Sequence, residues 1–375
     1  MKVYHSIKEF PSDINTIVTI GTFDGVHKGH KEIVGRLNST AKKEGLESVL
    51  LTFYPHPRHV LFPDDQKLKL INTIEEKTEA LRKTGIQHFI IQEFDVDFSR
   101  IKSVNFIRDL LVNKLNMKHM VVGYDHHFGK NREGTFENLL SLSELYDFKL
   151  EKIAPQNIGD ITISSTKIRN AIIDGDIEKA NSYLCYNFSL SGVVEKGNGI
   201  GSNINFPTAN IKVENKWKIL PKDGAYAVKV FVENQQYFGM LNIGNRPTIA
   251  DDKHVVEVHI FDFNSTIYNL DIKVEFIKRI RSEKKFNSLE ELQSMKTGLQ
   301  YQMYHGLALI FLGFNVNKIK NTATICWGFI SGTILFSGSI YLLALDHLMG
   351  IDLRFLWPTT PIGGTILIAS WVLFV

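Results

Sequence analysis

Ile17-Val-Thr-Ile-Gly-Thr-Phe-Asp-Gly-Val-His-Lys-Gly-His30 decides how the first part of the chain folds. Its apolar opening, residues 17–20, predicts a buried parallel strand, and the small residues after it let the backbone turn sharply into a helix that begins at Lys31. A strand, a tight turn and a helix start make a place for an anion. Backbone N–H groups and the positive end of the helix dipole favour negative charge there, and two imidazoles flanking a glycine can donate hydrogen bonds to phosphate oxygens.

A second stretch of the same kind follows some way downstream: Ile163-Ser-Ser-Thr-Lys-Ile-Arg169 places hydroxyls and two cations before the helical apolar pattern of Ile168, Ala171 and Ile172. Between the two, strand-like runs at 17–20, 48–54, 88–92, 119–123 and 149–153 alternate with amphipathic helical stretches at 31–44, 73–84, 104–115 and 134–146. That rhythm predicts an open parallel sheet covered by helices, which binds ligands beyond the carboxyl ends of its strands. His27, His30, the turn Pro55-His-Pro57 and the segment Gly123-Tyr-Asp-His-His-Phe-Gly129 all fall on that edge. His56 reads equally well as a turn residue and as a site residue.

With 375 residues the chain is long enough for two or three domains, because single cores rarely grow past roughly 250 to 300 residues. A net charge of +3, with dispersed lysines and arginines, gives no case for a nucleic-acid partner. Cys185 and Cys326 are the only cysteines and lack metal-ligand spacing, so neither a disulfide framework nor a zinc site is expected and a reducing cytosol is. Residues 1–13 are too polar for a signal peptide. Residues 174–185 read as a short joining helix. Short strands at 225–232, 237–243, 255–261 and 272–276, separated by turns rich in Gly, Asn and Asp, then predict an all-β barrel or sandwich.

From Leu292 onward the formally charged side chains are Lys296, Lys318, Lys320, Asp346, Asp352 and Arg354 alone. Residues 323–345 are uncharged and long enough to cross a bilayer, for which about 20 residues are needed. Gly328, Gly332 and Gly338 in that stretch suit close helix packing in lipid. Residues 303–314 are short for a span, and His305 within them is expected to be neutral and packed.

The His-x-Gly-His arrangement resembles the signature of the nucleotidylyltransferases, and residues 15 to about 291 resemble the bacterial bifunctional riboflavin kinase and FAD synthetase family in order, spacing and motif content. In the first module Thr52-Phe-Tyr-Pro-His-Pro57 joins the stretches already quoted. The resemblance implies an FMN adenylyltransferase over residues 1–186, in which FMN attacks the α-phosphorus of ATP. It implies that His27 and His30 contact the ATP phosphates, that Gly21, Phe23, Asp24, Gly25 and Gly29 shape the nucleotide site, and that Ser164, Ser165, Thr166 and Arg169 hold the triphosphate and departing pyrophosphate. A magnesium ion would bridge oxygens, and Asp125 would help order the flavin.

In the second module Phe206-Pro-Thr-Ala-Asn210, Asn242-Ile-Gly-Asn-Arg-Pro-Thr248, Val256-Glu-Val-His-Ile-Phe-Asp262 and Arg281-Ser-Glu-Lys-Lys-Phe286 resemble riboflavin kinase signatures. The implied roles are Glu257 as the base, Thr208 and Asn210 as magnesium or phosphate ligands, Gly197 and Gly201 in the phosphate loop, and Arg281 at the flavin. Ser202 stands in that loop where an arginine is usual, and Asn205 where a glycine is usual. The family's closing helix is expected to be missing after residue 291.

Residues 296–375 resemble the latter part of a small bacterial membrane family of unknown function, through Tyr301-Gln-Met-Tyr-His305, Leu335-Phe-Ser-Gly-Ser-Ile-Tyr341 and Pro358-Thr-Thr-Pro-Ile-Gly-Gly364. The expected architecture is a Rossmann-like α/β nucleotidylyltransferase domain, an all-β barrel kinase domain over 187–291, and transmembrane helices over 296–375. The implied partners are ATP, riboflavin and FMN, with FAD as product, and a bilayer that tethers cytoplasmic enzyme modules. Oligomeric state stays open. Two other readings stand beside this one: an adenylyltransferase with an impaired kinase half, and a membrane protein or non-productive fusion whose head binds flavin.

Overall fold

The computed structural model describes residues 1–65, 67–123, 135–154, 157–158, 161–196, 207–233, 235–245, 254–282, 289–316, 319–349 and 352–374. Contacts divide the chain into two units, residues 1–283 and 284–375.

The first unit opens with a six-stranded parallel sheet. Its strands are β1 (Lys2–Tyr4), β2 (Thr16–Ile20), β3 (Glu47–Tyr54), β4 (His88–Glu93), β5 (Met117–Gly123) and β6 (Lys149–Ile153), in the order β1-β4-β3-β2-β5-β6. All five residues of β2 are buried, as a central parallel strand covered on both faces requires. The alternation of side chains along the strands supplies both covers. Ile17, Leu50, Phe89 and Val121 pack under α1 (Lys28–Glu44). Val18, Val49, Ile90 and Met120 face the opposite way, onto Phe106, Ile107 and Leu111. Each such side chain, fully buried, contributes roughly 1.5–3 kcal/mol.

The helices after α1 are α2 (Pro57–Leu61), α3 (Ile74–Arg82), α4 (Val96–Ser99), α5 (Ser103–Asn105), α6 (Phe136–Leu145), α7 (Ser165–Asp174) and α8 (Ile177–Leu184). The expected helix over 104–115 winds as a π-helix over Phe106–Lys114, closed by a Leu115 N–H bond to Leu110 O of 3.1 Å. An apolar period cannot distinguish that extra residue per turn. β1 lies in a stretch whose polar composition gave no strand signal, because an edge strand of three residues buries too little to show a pattern.

Next comes a closed antiparallel barrel of β9 (Ser189–Glu195), β10 (Ala209–Lys212), β11 (Gly224–Val232), β12 (Gln235–Asn245), β13 (His254–Ile260) and β14 (Asp271–Arg281). A two-stranded ribbon, β7 (Asn157–Ile158) and β8 (Ile161–Thr162), precedes it in sequence. Of the two all-β forms expected, the barrel is the one formed, and β9 and β10 are the strands the sequence pattern did not offer. They close the ring by pairing with β14 and β13. The barrel core, with Tyr226, Val228, Val230, Val258 and Phe276, is continuous with Ile168 and Ile172 of α7 and with Ile71.

Among its described residues the second unit has the α-helices Leu289–Phe314, Thr322–Met349 and Thr359–Phe374 and a 3-10 turn, Arg354–Leu356. By length and composition Thr322–Leu343 and Arg354–Phe374 could cross a membrane. A Cβ at Gly328 would collide with Ser370, one at Gly332 with Leu367, and one at Gly363 with the backbone of Leu335 and Phe336. Gly338 faces open space, so close packing uses Gly363 in its place. His305 is buried and packed as expected: its Nε2 accepts from Trp371 Nε1–H at 3.1 Å, and its Nδ1–H donates to Tyr301 O at 2.7 Å.

Candidate active sites

In the parallel sheet the chain order reverses between β2 and β5, and the crevice beyond their carboxyl ends is where such sheets place ligands. The turn after β2 occupies it. Gly21 N–H bonds Leu51 O at 3.1 Å and the Thr52 hydroxyl bonds Thr22 O at 3.3 Å, so the turn is fastened to β3. Gly25 has φ +90°, where an L side chain would be strained and would press on Ile71.

Helix α1 begins at Lys28, three residues before the sequence pattern placed it. His27 caps it, Nδ1 accepting from His30 N–H at 3.4 Å, a task normally given to Ser, Thr, Asp or Asn. His30 is therefore in the first helical turn. Its ring stacks on His27 with centroids 3.7 Å apart and leans on Phe23 at 4.7 Å. Burial, then the neighbouring His27 and Lys77, push the His30 pKa well below its usual value, so the ring is neutral at pH 7. Among the described residues nothing bonds its buried Nδ1.

Asp24 is the hub of the turn. Its buried carboxylate accepts from Ile71 N–H at 2.9 Å, Asn72 N–H at 3.2 Å and Arg169 Nη2 at 2.9 Å. Ser165 Oγ donates to Asp24 O at 2.9 Å, and Ser164 caps α7 by accepting from Lys167 N–H. The second anion motif is thereby drawn against the first, with Thr166 exposed and the buried Nε of Arg169 unbonded among the described residues. Asp125, Gly197, Gly201, Ser202 and Asn205 lie outside the described residues.

Two groups join this cluster that the motifs did not single out as site residues. Lys77 is buried on α3 with Nζ donating to Thr22 O at 2.6 Å, and burial lowers its pKa to about 8. His56 caps α2 beside the cis Tyr54-Pro55 bond, and its pKa is lowered to about 4 by burial, against the opposing field of Asp24. Lys77 is four residues into an ordinary amphipathic helix, so no local pattern marks it. His56 lies in the turn that the sequence placed on this edge, where it read equally well as a turn residue and as a site residue.

In the barrel one row of paired positions runs Glu195 on β9, Asn210 on β10, Glu257 on β13 and Asn242 on β12. Val256, Val258 and Ile260 point into the core, which turns Glu257 outward. The row continues through Ala225 on β11 to Arg281 on β14. Thr208 stands just before β10. Hydroxyl and amide oxygens beside a carboxylate are the donor chemistry a hard cation takes. No cluster of three His, Cys, Asp or Glu side chains is found among the described residues.

A nucleotide-binding α/β sheet followed by a six-stranded barrel defines a two-module transferase. Comparison with known proteins narrows the class. Residues 9–167 match the family FAD synthetase and residues 184–297 the family Riboflavin kinase. Residues 278–364 match a family described as protein of unknown function (DUF423), overlapping the kinase match over 278–297. The bifunctional riboflavin kinase/FMN adenylyltransferase of Bacillus subtilis is 37% identical over 77% of this chain and 91% of its own length. That of Escherichia coli K12 is 35% identical over 77% and 92%. A crystal structure described as a macrolide-efflux protein from Streptococcus pneumoniae is 31% identical, with a TM-score of 0.71 over 79% of this chain and 96% of that one. The chain belongs to the bifunctional riboflavin kinase/FMN adenylyltransferase family.

Proposed function

We propose that this chain makes FAD from riboflavin in two ATP-consuming steps, the first at the barrel and the second at the parallel sheet, within modules spanning 187–291 and 1–186. Both family matches and the bifunctional relatives favour two reactions over an adenylyltransferase alone or a flavin-binding head. The observation that carries the adenylyl step is the stacked His27 and His30 pair at the switch point, with a buried His30 nitrogen unbonded among the described residues and the adjoining turn pinned to Arg169 through Asp24.

In that step an oxygen of the FMN phosphate attacks the α-phosphorus of ATP, a new P–O bond forms, and the bond to the β-phosphate breaks to release pyrophosphate. No protein nucleophile is needed, so the work is orientation and stabilisation of spread negative charge. His27 and His30 donate to phosphate oxygens. Ser164, Thr166 and Arg169 hold the departing end, and Lys77 sets the turn by gripping Thr22 O. Gly21, Phe23, Gly25 and Gly29 let the backbone and the ring stack approach the nucleotide.

At the barrel, Glu257 takes the proton of the ribityl 5′-hydroxyl as that hydroxyl's oxygen attacks the γ-phosphorus of ATP, and the bond from the γ-phosphorus to the β,γ-bridging oxygen breaks to release ADP. Thr208 and Asn210 would hold magnesium or the phosphates, with Arg281 on the flavin side, and a magnesium ion held there would supply neutralisation of the phosphate charge. The helices of residues 296–375 tether the enzyme to a bilayer. Supplying FMN and ATP with magnesium tests the adenylyl step by itself: FAD and pyrophosphate are expected, and their absence would count against the reading of the first module.

A further inference from the structure

The adenylyl site is in contact with the kinase half of the chain. The segment between β10 and β11 reaches across to the residues before α3: Leu70 N–H bonds Trp217 O at 2.7 Å and Ile219 N–H bonds Leu70 O at 2.9 Å. The Trp217 ring stacks on His59, centroids 3.7 Å apart. Between them Lys218, fully buried, pairs with Glu76, lies over the Phe188 ring at 4.6 Å and donates from Nζ to Ile71 O at 2.7 Å.

That last contact matters because Ile71 C=O and Asn72 N–H belong to one peptide group. Lys218 holds its oxygen, while its N–H donates to Asp24 at 3.2 Å. A single planar dipole thus stands between a buried ammonium and a buried carboxylate, aligned to favour both. In a medium of low dielectric each bond polarises the next. Asp24 in turn fixes Arg169, a candidate ligand of the ATP phosphates.

We propose that Lys218 is a positioning residue for adenylyl transfer, acting from the kinase half through the Ile71-Asn72 peptide and Asp24 on Arg169. The inference rests on the function proposed above. An interface lysine that only fastened two modules would change stability and leave the adenylyl site alone. A positioning lysine changes how one of the two sites uses ATP.

Lys218→Met keeps the stem and removes the charge; Lys218→Arg restores charge and donors. The detergent-solubilised full chain is assayed for FMN adenylylation and for riboflavin phosphorylation, each over a range of ATP, below the thermal midpoint of each variant. The expected result is a rise in KM for ATP and about a tenfold fall in kcat/KM in adenylylation only, with partial recovery in the arginine variant. If the methionine variant does not fold, Lys218→Gln, which keeps a donor without the charge, is read the same way. Adenylylation within about twofold of the wild type in the folded variant, or an equal fall in both reactions, would overturn the inference. A wild-type chain that made no FAD from FMN would instead overturn the functional reading beneath it.

Discussion

His30 is the residue on which the adenylyl site depends most. It is neutral, its Nδ1 is unbonded among the described residues, and its place in the first turn of α1 sets it beside His27. Changing His30 to Ala is expected to lower FAD formation from FMN by about 10²–10³-fold, the loss typical of one donor to a developing charge, and to spare FMN formation. Separate assays of the two reactions decide it. His56 gives a stability prediction. Its folded-state pKa of about 4 lies below the ordinary histidine value, so the unfolded chain takes up the proton first as the pH falls. Its neutral form costs nothing at neutral pH, and stability is lost as the pH falls from about 6.5 toward 4, by up to about 1.4 kcal/mol per pH unit. A His56→Asn variant, which keeps an N-cap, should lose thermal stability less steeply across that window, and parallel curves for the two proteins would refute the assignment. The motif residues of this site were legible because phosphate chemistry needs glycines, hydroxyls and imidazoles at fixed spacing. Lys77 was not, because its importance comes from where α3 packs and not from its neighbours in sequence.

At the scale of elements, parallel strands announced themselves through continuous apolar runs, and four of the five predicted strands are slightly longer than the runs. The barrel was only half legible. β11 to β14 were marked by apolar runs, but β10 has only four residues and β9 lacks a regular in–out alternation, and their strand character comes from pairing with β13 and β14. That pairing is what gathers Asn210, Glu257 and Asn242 into one row across three strands. The row predicts that Glu257→Gln abolishes FMN formation from riboflavin and leaves FAD formation from supplied FMN intact, measured in the same preparation. If one change at His30 or Glu257 removed both activities while the fold survived, two separate sites could not be the arrangement. Among the C-terminal helices, Gly363 approaches the backbone of Leu335 and Phe336. Gly363→Val should therefore separate the last two helices and lower the thermal midpoint of the helical unit in detergent, whereas Gly338→Val should be tolerated. Composition suggested small residues for packing, but only the helix register says which of them touch.

For the whole molecule, the sequence predicted an α/β part, a β part and an apolar helical part because each follows a different period; a parallel sheet, a closed barrel and C-terminal helices are the classes found, the first two within one contact unit. The contacts of Lys218 and Trp217 across the first unit join residues far apart in sequence, and no periodicity reports them. The two apolar helices predict that the full chain sediments with membranes and leaves them only in detergent; a chain recovered in the soluble fraction would remove the tether from the account. The central claim, that one chain carries both reactions, is tested most directly by incubating the detergent-purified full chain with riboflavin, ATP and magnesium and separating the flavins over time. The account predicts FMN appearing first and FAD following it. Riboflavin left unchanged, together with no FAD when FMN is supplied in its place, would contradict it.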